Sequence, residues 1–151
     1  MKKNRCISGF KVLLNAAFVL STVEQGNSLL QAIRLGDIAE VESLIDQGAD
    51  VNMSDDFGYT PLHYAVIKGR IDIVRYLVDH GAFVDMANKF GMTSLHDAIC
   101  RGNENMVKYL VFCGASVYVV DNIGRTPLSM AVKSWNEVIV NFLLDNDAVW
   151  H

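Results

Sequence analysis

The chain has 151 residues, enough for one domain with a substantial core and too few for two comfortable ones. An apolar fraction of 51% and a mean hydropathy of +0.21 exclude a disordered chain, and with only 9% aromatics the remainder is rich in the small aliphatics that suit closely packed helices. The net charge of −4 divides into +3 over residues 1–24 and −7 over the rest, and an acidic body repels phosphate backbones, so no nucleic-acid partner is expected.

Residues 1–24 stand apart from the rest of the chain. Lys2, Lys3 and Arg5 precede an apolar stretch from Val12 to Leu20, far shorter than the roughly 20 residues a membrane-spanning helix needs. Two readings are open: a signal peptide cut after Ser21, or a helix that covers the exposed end of the next unit. Lys11 and Asn15 interrupt the apolar run and no Ala-x-Ala comes after it, which favours the cover.

A repeat then begins. Asn27-Ser28-Leu29-Leu30-Gln31-Ala32 is its weakest copy, followed after 33 residues by Thr60-Pro61-Leu62-His63-Tyr64-Ala65. The same step leads to Thr93-Ser94-Leu95-His96-Asp97-Ala98 and to Thr126-Pro127-Leu128-Ser129-Met130-Ala131. Gly58, Gly91 and Gly124 keep this register, as do Leu77, Leu110 and Leu143. Four units result, at 25–54, 55–87, 88–120 and 121–151.

Each unit reads as two short helices and a turn. Thr60 caps the first helix and Pro61 occupies its first position, where a missing N–H costs nothing; losing such a cap costs about 0.5–2 kcal/mol. Gly69 and Gly102 stop the first helix, and Gly81 stops the second. Along the second helix, Ile71, Val74, Leu77 and Val78 share one face. One such pair cannot bury its apolar face alone, but stacked neighbours can.

The 33-residue step and the Thr-Pro-Leu-His-x-Ala string resemble the ankyrin repeat, over residues 25–151. The resemblance implies an all-α solenoid of helix-turn-helix units with β-type turns. It also implies that His63 and His96 hydrogen-bond locally to Thr60 and Thr93 and to neighbouring turns. The fourth unit departs from the pattern: Ser129 replaces the histidine, and Trp135 and Asp147 replace its two glycines.

No catalytic, cofactor or metal site is expected. The histidines recur once per repeat, the glycines form no phosphate loop, and Cys6, Cys100 and Cys113 form neither a disulfide framework nor a zinc pattern. They read as reduced thiols of a cytoplasmic or nuclear protein, or of a secreted one if the leader is cut. The acidic run Asp37, Glu40, Glu42, Asp46, Asp50, Asp55 and Asp56 reads first as a solvated surface, and second as an attraction for a basic partner.

The resemblance points to protein binding by a monomer, as adaptor or scaffold, through the turn tips and the concave face. Phe57, Phe90 and Ile123 hold one equivalent position. Tyr59, Met92 and Arg125 hold a second, with Asp56, Lys89 and Asn122 beside them. Ile67 and Lys68, Cys100 and Arg101, and Lys133 and Ser134 end the first helices and continue that face. The large apolar groups either project as an interaction ridge or fold down onto adjacent turns. Alternative roles are an inhibitor of an enzyme such as a kinase, given the similar size of four-repeat kinase inhibitors, or an exported host-interacting protein.

Overall fold

The computed structural model describes residues 24–148, so the leader readings for residues 1–23 fall outside the described residues. Helix α1 covers residues 24–35. It is followed by α2 (Ile38–Asp46), α3 (Pro61–Ile67), α4 (Ile71–Asp79), α5 (Ser94–Cys100), α6 (Glu104–Phe112), α7 (Pro127–Lys133) and α8 (Glu137–Asp145). From α3 onward every element recurs at the 33-residue step, and no strand occurs among the described residues. This is an all-α solenoid of stacked helix pairs. First helices pack side by side (α3 on α5, α5 on α7), and second helices form a parallel layer in which α2 meets α4 and α6 meets α8.

In the last three units the first helices begin where the sequence places them. Thr60, Thr93 and Thr126 are extended at the N-cap and close a capping box with the residue three positions on. In the last unit Ser129 substitutes for histidine by accepting the Thr126 N–H at its hydroxyl (2.9 Å). The second helices are capped by Asp37, Asn103 and Asn136, whose side-chain oxygens accept from the third N–H of the helix. Arg70 provides no such cap; its guanidinium donates to the Gly36 carbonyl and pairs with Asp72 instead.

The core runs the length of the stack. Leu29, Leu62, Leu95 and Leu128 are fully buried at the 33-residue step, as are Ala65, Ala98 and Ala131. On α4 the buried set is Ile73, Val74 and Leu77, with Ile71 and Val78 only half-buried, a correction to the expected stripe. The helix lies between its own first helix and its neighbours, so the arc it buries is turned toward Ile73.

Two positions break the pattern of good local chemistry. Trp135 has φ +57, in the left-handed region taken by Gly69 (φ +68) and Gly102 (φ +63) in earlier units. A bulky side chain is strained there by about 1–2 kcal/mol, and at 91% exposure Trp135 has no packing to offset it. Ser94 stands where the second and fourth units have Pro61 and Pro127, and its buried hydroxyl has no partner. Thr93, at φ −93 and ψ 170, already has the extended backbone a following proline requires. Trp135→Gly is expected to stabilise by about 1 kcal/mol, and Ser94→Pro by about 0.5–1 kcal/mol. Chemical denaturation of each variant beside the parent measures both.

Candidate functional site

The turns are built on one repeated device. Asp55 Oδ1 accepts from the N–H groups of Phe57 and Tyr59, both at 2.9 Å. Asn88 Oδ1 does the same for Phe90 and Met92, and Asp121 Oδ1 for Ile123 and Arg125. A short acceptor that bonds two and four residues ahead fixes the tip without help from a strand. Consecutive tips are then joined by backbone: the Lys89 N–H donates to the Phe57 carbonyl (2.9 Å) and the Asn122 N–H to the Phe90 carbonyl (3.0 Å). Gly58 and Gly91 permit this approach. A Cβ at Gly58 would lie 3.0 Å from the Asn88 Cα, and one at Gly91 would lie 2.7 Å from the Asn122 nitrogen.

On this frame Phe57, Phe90 and Ile123 project, at 60%, 51% and 75% exposure. They do not fold down onto the neighbouring turns. Asp56, Lys89 and Asn122 are exposed beside them, with the Asn122 amide donating to the Lys89 carbonyl. The second row differs from its expected place in the ridge. Tyr59, Met92 and Arg125 are half-buried: Tyr59 packs edge-on to His63 and tilted to Tyr64, while Arg125 pairs with Asp121 (2.7 Å) and reaches the Met92 sulfur. They form the wall behind the tips.

The inner faces of the first helices continue from this wall. Lys68, Cys100, Arg101, Lys133 and Ser134 are exposed at the helix ends, and Ile67 is half-buried. Sequence reasoning missed three residues between them and the tips. Tyr64 donates to Asp55 Oδ2 (2.5 Å) and accepts from Arg34, whose guanidinium also lies over its ring at 4.6 Å. Asp97 holds the equivalent position one repeat on. No local signal marked them, because a tyrosine, an arginine and an aspartate on a helix read alike whether or not a neighbouring repeat takes away their water.

The acidic run divides by role. Asp37 caps α2, Asp50 bonds the Asn52 N–H, and Asp55 is committed to its turn, whereas Glu40, Glu42, Asp46 and Asp56 are exposed. Asp55 is therefore no free charge for a partner, because its removal would unmake the tip.

His63 and His96 are buried beneath the turns. His63 Nδ1 accepts from the Thr60 N–H (3.1 Å), and its Nε2 sits 3.1 Å from the Met92 carbonyl, so His63 ties its own cap to the next turn, whereas His96 Nδ1 accepts from the Thr93 N–H and closes only its own cap. Burial depresses both imidazoles below the ordinary value, against the carbonyls of Met92 for His63 and of Arg125 and Val119 for His96. For His96 those carbonyls lie outside good hydrogen-bond geometry, and its Nε2 has no partner. A neutral buried histidine adds stability that is present above about pH 6.5 and lost as pH falls. Cys100 is no activated thiol: although exposed at the helix end it is partly desolvated, and that and the Asp97 charge both raise its pKa. Among the described residues no three His, Cys, Asp or Glu side chains gather as metal ligands, and no helix is long and apolar enough to cross a membrane.

Asp97 titrates against the trend of the histidines. Burial pushes its carboxyl up to about 7, opposed only by Arg101; burial and the Asp97 charge in turn raise the Tyr59 hydroxyl and the Cys100 thiol, while Arg125 is paired with Asp121. The unfolded chain ionises first, so this group costs stability as pH rises from about 4 to about 7. Asp97→Asn is expected to raise Tm by several degrees at about pH 8 and hardly at about pH 4. Melting both proteins at each pH cancels the histidine contribution.

The family model for ankyrin repeats (three copies) matches residues 29–121 and 87–150. A segment of 54 residues is 46% identical to the 2-5A-dependent ribonuclease of Mus musculus, covering 35% of this chain and 7% of that protein. Another, of 46 residues, is 48% identical to Protein VAPYRIN-LIKE of Medicago truncatula, covering 30% and 10%. A third, of 50 residues, is 38% identical to the ankyrin repeat, SAM and basic leucine zipper domain-containing protein 1 of Equus caballus, covering 33% and 10%. The likeness thus spans a small part of each relative, and what those whole proteins do stays with them. The capped helix pairs, the 33-residue register and the family match agree: the chain belongs to the ankyrin-repeat family.

Proposed function

We propose that this chain is an adaptor or scaffold that binds another protein along one continuous face. The face runs from the tips (Asp56, Phe57, Lys89, Phe90, Asn122, Ile123), over the wall of Tyr59, Met92 and Arg125, to Ile67, Lys68, Cys100 and Arg101. Ankyrin repeats are in general protein–protein interaction modules.

The observation that carries the reading is the row Phe57, Phe90 and Ile123. Three large apolar side chains are held out in water at a fixed spacing by turns that spend their hydrogen bonds on rigidity. Exposed apolar groups in a row lower solubility and add nothing to the fold, whereas a preorganised ridge binds with little ordering cost. Apolar anchors ringed by polar groups such as Asp56, Lys89 and Asn122 match the anatomy of a binding hot spot.

Phe57→Ala with Phe90→Ala is expected to weaken partner binding by about 2 kcal/mol or more, roughly 30-fold, while Tm moves by less than about 3 °C. The partner is found by crosslinking and mass spectrometry in the native cell, and its affinity is compared for parent and variant beside thermal melts. A loss that appears wholly in Tm, with affinity unchanged, makes the ridge structural.

A further inference from the structure

The inner face contains one group that the fold leaves unfinished. Asp97 is 7% exposed, yet its Oδ2 has no hydrogen-bond partner, and neither ion pair found among the described residues includes it. Native proteins rarely bury a carboxylate without a cation or donors, because desolvation costs several kcal/mol, on the order of what holds a whole domain together.

The neighbouring repeat shows what completion looks like. There Tyr64, in the position of Asp97, reaches back to Asp55 Oδ2 and receives Arg34 at its own hydroxyl, at 2.9 Å. One step on, Asn88 replaces Asp55, Asp97 replaces Tyr64 and Ile67 replaces Arg34. The shorter aspartate does not span back to the turn. Asn88 Nδ2, in a residue 5% exposed, is consequently left without a partner as well. The apolar Ile67 supplies no cation in place of Arg34.

The chain's own cations do not fill the place. Arg125 is committed to Asp121 at 2.7 Å, and Arg101, one helical turn beyond Asp97, is exposed and in no ion pair among the described residues. The surroundings favour a cation from outside. Residues 25–151 carry a net charge of −7, which draws a basic partner.

We propose that Asp97 is the recognition point for a lysine or arginine side chain of the protein partner, received on the inner face of the third repeat. This deepens the docking reading above and rests on it. The incoming cation restores the charge that burial disfavours, so the contact forms only when a basic residue is correctly placed. Specificity is its main product. The burial that pushes the Asp97 carboxyl up to about 7 is what makes a matching cation discriminating there.

The test uses a random peptide library displayed on phage, selected on the full chain. Binders are then measured on the parent, on Asp97→Asn and on Phe57→Ala with Phe90→Ala. Asp97→Asn keeps the shape and removes the charge, so it stays folded. The expected result is binders enriched several-fold in lysine or arginine over the starting library. Their affinity falls about ten-fold or more on Asp97→Asn. Replacing the peptide's basic residue by norleucine then weakens binding to the parent and leaves binding to Asp97→Asn unchanged. Binders that need Phe57 and Phe90 but ignore Asp97, or that carry no basic preference, overturn this inference and leave the docking face standing. Binders that ignore all three residues, or a selection that yields none, overturn both.

Discussion

Helices of seven and nine residues are shorter than the roughly 12–15 at which an isolated helix persists in water. From α2 onward every helix of this chain has one of those two lengths, so each is stable only because a neighbour covers its apolar face. Leu62 and Leu95 sit on first helices that pack against each other across units, and they are 1% and 0% exposed. The constraint propagates outward: units must repeat at one length, their turns must meet in one register, and bulky or charged groups must stay out of the shared layer.

The histidines and the turn acceptors meet that constraint together. His63 closes the Thr60 cap with one ring nitrogen and approaches the next turn's Met92 carbonyl with the other, so starting a helix and seating the adjoining unit are one event. Asp55, Asn88 and Asp121 then hold the tips, and backbone bonds from turn to turn leave the side chains at the tips free of structural duty. A surface built this way can change its chemistry without changing its shape. The inner-face position occupied by Gln31, Tyr64, Asp97 and Met130 is the clearest case, since four unlike residues hang from the same backbone geometry.

The fourth unit shows how far the rules stretch. Ser129 restores the capping box that histidine makes elsewhere, through a different atom and without a link to another turn. Trp135 and Asp147 take left-handed backbone that glycine takes in the earlier units, at φ +57 and +62. At Trp135 helix geometry wins over side-chain preference, because the turn must close within the same number of residues for α8 to reach α7.

Repeat length, the threonine-capped helix starts and the glycine stops were legible in the residues, because each depends on local chemistry or on a period read directly from the chain. The exposed tips were only half legible: the equivalence of Phe57, Phe90 and Ile123 is a matter of counting, but their projection depends on where the next turn lies. Asp55 read as one charge among seven until its bonds to Phe57, Tyr59 and Tyr64 placed it inside the frame. Asp97 was invisible as a site. Nothing local distinguishes a solvated aspartate from a buried one, and only the stacking of the third repeat against its neighbours removed the water around it. Sequence alone determined which helices form and at what step; tertiary packing decided which charges lost their solvent, because desolvation is a property of surroundings that no residue carries by itself.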